Sequence, residues 1–358
     1  MSTVYPILDQ DRTIFRGSDM GFTFQPNLAD HPQILTVFLN KNEIPVIHTV
    51  FLPPNIQHLS LVKNYLRSDG LPVEWPRTLK SINLDHNSIY DTDIVEVWPS
   101  ALEDLSFDDN PLRECPKGLP ETLKSLSMNG CELQILQNLP NSIKKLDCAY
   151  NKIKMIQSLP AQLECLFLSN NLLSSKFLSK CKMPLHLKLL NLDYNNIKFL
   201  PKNLPDSLEH ISARGNQLID LPGEWPQNLQ MLVLNDNRIQ NFQPKWKHGQ
   251  KLIQLHIRNN CVTENLICLQ ETNKVAHVYQ AFNWNQDIHH IHAYRIQKCF
   301  HVYQLKKGIR TFARLQKIQN QLMEIAYLPE LITRFNQVDS LDHFRIDLKQ
   351  AASLLNIV

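Results

Sequence analysis

Residues 79–89 read Leu-Lys-Ser-Ile-Asn-Leu-Asp-His-Asn-Ser-Ile, a frame in which Leu79, Ile82, Leu84, Asn87 and Ile89 spell LxxLxLxxNxI. The frame returns at Leu102, Leu105, Phe107, Asn110 and Leu112, at Leu187, Leu190, Leu192, Asn195 and Ile197, and at Leu229, Leu232, Leu234, Asn237 and Ile239. Its asparagine position falls on Asn42, Asn64, Asn87, Asn110, Cys131, Asn151, Asn171, Asn195, Asn216, Asn237 and Asn260, eleven units at a short and nearly even spacing. A second register keeps phase with the first. Eleven residues before that position stands a proline in nine units, from Pro53 to Pro226, each behind a large apolar residue such as Leu52, Trp75, Trp98, Met183 or Trp225.

Each part of the unit has a physical task. The LxL pair alternates with polar residues, as a short strand with one buried face must. Stacked units turn those strands into a parallel sheet over a continuous apolar core. The asparagine follows the strand, where its amide can serve turn backbone groups of its own and the adjacent unit. Cys131 breaks that series, and a weaker turn is expected there. The proline ring locks φ and favours an extended return path, and so short a period leaves little room for a full helix.

The spacing resembles the leucine-rich-repeat family, in its short subclass with the LPxxLxxLxLxxN unit, over residues 34–262. The resemblance implies a curved α/β solenoid that presents a binding surface. It also places the chain beside bacterial effectors acting inside host cells and proteins of amoeba-infecting giant DNA viruses. The wealth of Asn, Ile and Lys, with only 9 Gly, points toward an A+T-rich, mimivirus-like source. Some bacterial members carry a ubiquitin-ligase domain whose catalytic Cys lies in a CxD setting. Here Cys268 and Cys299 precede Leu269-Gln270 and Phe300-His301, so that activity is not implied.

Outside the units, residues 1–33 read as an N-terminal cap over the first hydrophobic face. Residues 34–265 are the solenoid, and residues 266–358 shift to irregular helical spacing, which predicts a C-terminal all-α domain. Residues 288–323 hold no acidic side chain and carry Arg295, Lys298, Lys306, Lys307, Arg310, Arg314 and Lys317. Ile296, Gln297, His301 and Lys306 within it loosely resemble a calmodulin-binding IQ motif. This segment is the alternative site, for nucleic acid, a membrane surface or a calmodulin-type partner; the default is a solvated basic face.

Composition narrows the function classes. A formal charge of +3 over 358 residues gives no global pull toward nucleic acid. Residues 1–15 have no basic start before an apolar run, and no stretch reaches about 18 apolar residues, so neither a secretory signal nor a membrane span is expected. The eight cysteines form no CxxC pair and read as free thiols of a reducing, intracellular compartment. Glycines never cluster as a phosphate-binding loop, and no GxSxG elbow exists. His289 and His292 could share a helix face beside His290 and Asp287, but two ligands do not make a metal site. The chain therefore reads as a binding scaffold for a protein, without catalysis or cofactor.

Register predicts which side chains face solvent from the sheet: those six, four, two and one residues before each asparagine position. The middle units present Asp85, Asp104, Asp108, Asp109, Asp147 and Asp193, with Tyr150, Phe167 and Tyr194 among them. Lys41 and Lys63 flank them on one side, Arg214 and Arg258 on the other. Exposed aromatics among charges suit a protein interface, and an acidic centre favours a basic protein segment over phosphate.

Overall fold

The computed structural model describes residues 7–242, 252–262 and 275–279. Backbone contacts divide the chain into two units, residues 1–258 with 265–280, and residues 259–264 with 281–358. The repeat array belongs to the first. In chain order its strands are β1 (Ile7–Leu8), β2 (Ile14–Arg16), β3 (Thr36–Phe38), β4 (His58–Ser60), β5 (Ser81–Asn83), β6 (Asp104–Ser106), β7 (Ser125–Ser127) and β8 (Ile135–Leu136). They continue with β9 (Lys145–Asp147), β10 (Met155–Ile156), β11 (Cys165–Phe167), β12 (Leu189–Asn191), β13 (His210–Ser212), β14 (Met231–Val233), β15 (Leu252–His256) and β16 (Val275–Tyr279).

Fourteen of these make one sheet in chain order, while β8 and β10 pair separately on the return path. All neighbours in the large sheet are parallel except β1, which folds back on β2. The pairing is in register by repeat position, so Ile82 lies opposite Leu59 and Leu105, and Asp147 opposite Phe167. Each three-residue strand of the repeats buries only its middle residue. Val37, Leu59, Ile82, Leu105, Leu126, Leu146, Leu166, Leu190, Ile211 and Leu232 are all at most 2% exposed. The second leucine of the LxL pair is fully buried as well, and each such side chain contributes about 1.5–3 kcal/mol of burial.

The asparagines form a ladder through the turns. Asn64 Oδ1 accepts the Ile44 N–H of the preceding unit at 3.1 Å, and its Nδ2 donates to Leu39 O at 2.9 Å and Leu61 O at 3.0 Å. Each of these carbonyls serves two amides: Leu39 O also takes Asn42 Nδ2 at 2.9 Å, and Leu61 O takes Asn87 Nδ2 at 3.0 Å. The same sharing repeats at Leu84, Cys148, Leu168, Leu192 and Ala213. Cys131 keeps half of it. Its thiol reaches Phe107 O at 3.1 Å, but it has no oxygen to offer Leu112 N–H, which turns instead to Asn110 O at 2.9 Å. Burial pushes that thiol up to about 12, so it stays a donor.

The residue before each ladder position is left-handed. Lys41, Lys63, His86, Asp109, Tyr150, Asn170, Tyr194 and Asp236 all have φ between 53° and 58°, and Gly130 and Gly215 fill the same position in their units. The strand ends by turning sharply toward the return path, and only this backbone region allows it. For side chains with a Cβ it costs about 1–2 kcal/mol. The repeat therefore spends local strain at every rung to keep its amides aligned.

Two expectations need correction. An α/β class is not what the described residues adopt: their one α-helix is α1 (Ser175–Leu178), and the rest is a β-solenoid with extended returns and two 3-10 turns at Thr49–Phe51 and Ser68–Gly70. The proline in most returns and the short period leave space for no more. The sheet also runs past residue 265, because Val275–Tyr279 pairs in parallel with β15 rather than opening a helical domain. Asn283 follows Tyr279 by the same four residues that separate Asn260 from His256, so the repeat frame was present in the sequence. The remainder of the expected all-α segment lies outside the described residues. At the other end, β2 is a strand of the same array. Phe15 is buried at the middle-strand position and Met20 stands where a ladder asparagine would. Asn42 Oδ1 accepts Met20 N–H at 3.1 Å and Phe22 N–H at 3.0 Å, so the first segment is a degenerate rung. Gly17 replaces its second leucine because a Cβ there would meet Phe15 Cε1 at 2.6 Å.

Candidate binding face

The solvent side of the sheet gathers most of the residues the register points to. Asp104 on β6 is exposed, Asp147 on β9 and Phe167 on β11 are half-buried neighbours, and Tyr150 is 69% exposed just beyond β9. Asp109 is exposed and pairs with His86, Nδ1 to Oδ2 at 3.2 Å, and it leans over the rung at Gly130, where a Cβ would stand 2.6 Å from its Oδ1. Asp193 and Tyr194 lie further along, past Phe167. The Tyr194 ring, 46% exposed, packs over Gly215 and carries the Arg214 guanidinium at 5.6 Å from its centroid.

Three of the carboxylates have a structural duty that the sequence did not disclose. Asp85 Oδ1 accepts the Ser106 hydroxyl and the Asp108 N–H at 2.8 Å. Asp108 Oδ1 accepts the Ser127 hydroxyl at 2.6 Å and Asn129 N–H at 2.8 Å. Asp193 Oδ1 takes Ser212 at 2.6 Å and Arg214 N–H at 2.7 Å. Asn40 makes the same pair of bonds with Ser60 and Val62 at 2.7 and 2.9 Å, so the position needs an oxygen and not a charge. This is a second ladder, on the open face, and its signal in the sequence is Ser four residues before an asparagine position whose preceding unit carries Asp or Asn two before.

Burial raises the carboxyls of Asp85, Asp104, Asp147 and Asp193 above their ordinary range. At Asp85 desolvation dominates, opposed by the Ser106 bond and reinforced by the Asp108 charge. Desolvation also leads at Asp104, followed by repulsion from Glu103, and it leads at Asp147 and Asp193. A cation the sequence reading did not single out also belongs to the group: Lys145, in register with Ser125 and Cys165, pulls Asp147 back down and, after Lys124 and His58, Asp104. Along the sheet's edge runs a charge row, with Lys124–Glu103 at 2.8 Å, Lys144–Glu164 at 3.2 Å and Lys188–Glu164 at 2.8 Å. Such exposed pairs contribute little stability; they orient the rim.

Cys148 is fully buried in the core and Cys165 partly exposed on the sheet, as their register positions indicate. Among the described residues no group of three His, Cys, Asp or Glu side chains is placed to hold a metal ion, and no helix is long and apolar enough to cross a membrane. The histidines at 289, 290 and 292, Asp287, and the basic residues Arg295, Lys298, Lys306, Lys307, Arg310, Arg314 and Lys317 lie outside the described residues.

No protein-family model matches the chain, and no curated protein matches its sequence. Solved structures do. The chain is similar to a chain of the octameric complex of Latrophilin 3, Unc5D and the leucine-rich-repeat protein FLRT2, with TM-score 0.57 and 20% identity over 76% of this chain and 92% of that one. It is similar to InlJ from Listeria monocytogenes, with TM-score 0.56 and 18% identity over 78% of this chain and 65% of that one. YopM from Yersinia enterocolitica WA-314 matches at 24% identity and TM-score 0.43, over 67% of this chain; the chain spans 63% of the YopM length. The fold is that of leucine-rich-repeat proteins.

Proposed function

We propose that this leucine-rich-repeat chain is a protein-binding scaffold whose open sheet face takes a basic segment of a partner. The observation that carries this reading is that exposed Asp104 and half-buried Asp147 share the open face with exposed Tyr150 and half-buried Phe167, where partial desolvation raises both carboxyls. A lysine or arginine docked there would offset that penalty, while the aromatics would supply contact area. FLRT2, of the same fold, is held in a complex with other proteins. The short LPxxLxxLxLxxN unit supports a further step: a pathogen or viral protein acting on factors of a host cell. Nothing in the reading requires catalysis.

The test is capture of partners from cell lysate, followed by titration of the purified partner with the full chain and two variants. Asp104→Lys with Asp147→Lys is preferred to substitutions at Asp85, Asp108 or Asp193, because those three hold the second ladder. The expected result is loss of binding with that variant and retention when Lys306, Lys307 and Arg310 are neutralised. The reverse pattern would move the site to the basic segment 295–317.

A further inference from the structure

The longest separation in the array, from Asn171 to Asn195, distorts the return path. After Leu173 the chain forms the single turn of α1, anchored by Leu178 at 1% exposure, before Met183 and Pro184 resume the repeat. The following unit keeps the ordinary return. Between the two lies a groove of about 1190 Å³ lined by Lys176, Lys180, Lys182 and Lys202, with the apolar side chains of Leu185 and Phe199. Leu185 is 74% and Phe199 51% exposed.

Ion pairs engage only some of the lysines among the described residues. Lys117, Lys124, Lys144, Lys152 and Lys188 each reach a carboxylate at 2.8 to 3.4 Å. Among the described residues no carboxylate lies within ion-pair distance of Lys180, Lys182 or Lys202. Asp206 and Glu224 also line the groove, but the Asp206 Oδ1 accepts the Gln227 N–H at 2.9 Å, and four ammonium groups outweigh two carboxylates. Isolated exposed apolar residues are normal on a surface. Two that line one groove together with Lys180, Lys182 and Lys202 combine apolar and charged surface, as a binding site does.

We propose that this groove is a second docking site, which takes an extended acidic segment of a partner protein with one large apolar side chain seated against Leu185 and Phe199. An acidic peptide suits the groove because its carboxylates meet lysine ammonium groups while an apolar side chain meets Leu185 and Phe199; no arginine lines the groove to fork a phosphate. The site is made by the return path, so it is independent of the sheet face and can be occupied together with it.

The experiment uses the full chain and a fluorescent peptide of Glu and Asp residues carrying one central Phe. Binding is compared with the same peptide lacking Phe, with anionic phosphatidylserine vesicles and with single-stranded DNA. Lys180→Glu with Lys182→Glu is expected to weaken the Phe peptide by about tenfold or more. Phe199→Ala is expected to abolish the advantage of the Phe peptide over the Phe-free one, with circular dichroism unchanged. Asp104→Lys with Asp147→Lys is expected to leave peptide binding as it is. No binding, equal binding of the two peptides, or a preference for vesicles or DNA overturns the proposal. Loss of peptide binding in the sheet-face variant overturns it also, since the site would then lie elsewhere.

Discussion

Replacing Asn64 by alanine measures what one rung of the amide ladder contributes. The substitution removes the acceptor of Ile44 N–H at 3.1 Å and the donor to Leu39 O and Leu61 O. The two carbonyls are not stranded, because Asn42 and Asn87 still donate to them at 2.9 and 3.0 Å. The Ile44 N–H, fully buried, is stranded unless its turn shifts as at Cys131, where the equivalent Leu112 N–H reaches Asn110 O at 2.9 Å. A buried donor left alone costs about 1–3 kcal/mol and each lost ordinary hydrogen bond about 0.5–1.5 kcal/mol, so the sum is about 2–6 kcal/mol. Urea unfolding gives the total, and amide hydrogen exchange at Ile44 gives the local part. Asn64→Cys, patterned on Cys131, should recover part of the loss by restoring a donor, with Ile44 exchange still faster than in the parent chain. A total loss below about 1 kcal/mol, or an Ile44 amide that stays protected in Asn64→Ala, refutes the account of the ladder.

Other outcomes follow from the same geometry. Lys63→Gly places glycine where φ is 58°, and relief of left-handed strain, less the extra chain entropy, should stabilise the fold by about 0.5–1 kcal/mol in urea. Cys131→Asn should return an acceptor to Leu112 N–H and raise stability by about 1 kcal/mol, whereas destabilisation would mean the turn at Pro111 has settled around the thiol. Asp85→Asn keeps the oxygen for Ser106 and Asp108, as Asn40 does naturally. Because burial raises the folded Asp85 carboxyl above its unfolded value, its ionised form weighs against the fold at neutral pH. That penalty is relieved as pH falls through the raised value and is gone below about 3.9. The stability advantage of Asp85→Asn should therefore be largest near neutrality and vanish on acidification; an advantage that grows toward acid would contradict the sign. Binding of a basic partner should weaken over the same acid window as Asp104 and Asp147 take up protons.

Where the frame was strong, the sequence disclosed the structure residue by residue. The eleven ladder positions, the buried LxL pairs and the solvent columns follow from spacing, because period and burial are the same fact in a stacked strand. The ends were harder. Phe15, Gly17 and Met20 make a rung without its asparagine, and Val275 to Tyr279 make one without its proline, so pattern matching passed over both. The site was half visible. Register shows that Asp85 and Asp104 share a face, but the tie of the first to Ser106 emerges only when Asp and Ser are read across adjacent units, at a position Asp104 does not occupy. The groove beside α1 was hidden altogether, because an irregular return has no period to read.

The shared carbonyls carry a consequence for how such a chain can change length. A tandem duplication or loss of one whole unit presents the next amide with the same carbonyl it had before, and no donor or acceptor is left over. A gain or loss of a few residues is tolerated only in the return path, as between Asn171 and Asn195, a longer step than the one from Asn151 to Asn171 before it. Between the strand and its asparagine even a single inserted residue would turn the amide from its carbonyls. Lineages of this protein should thus differ in length by whole modules or by loops, with the step from mid-strand to asparagine, as from Leu59 to Asn64, held constant.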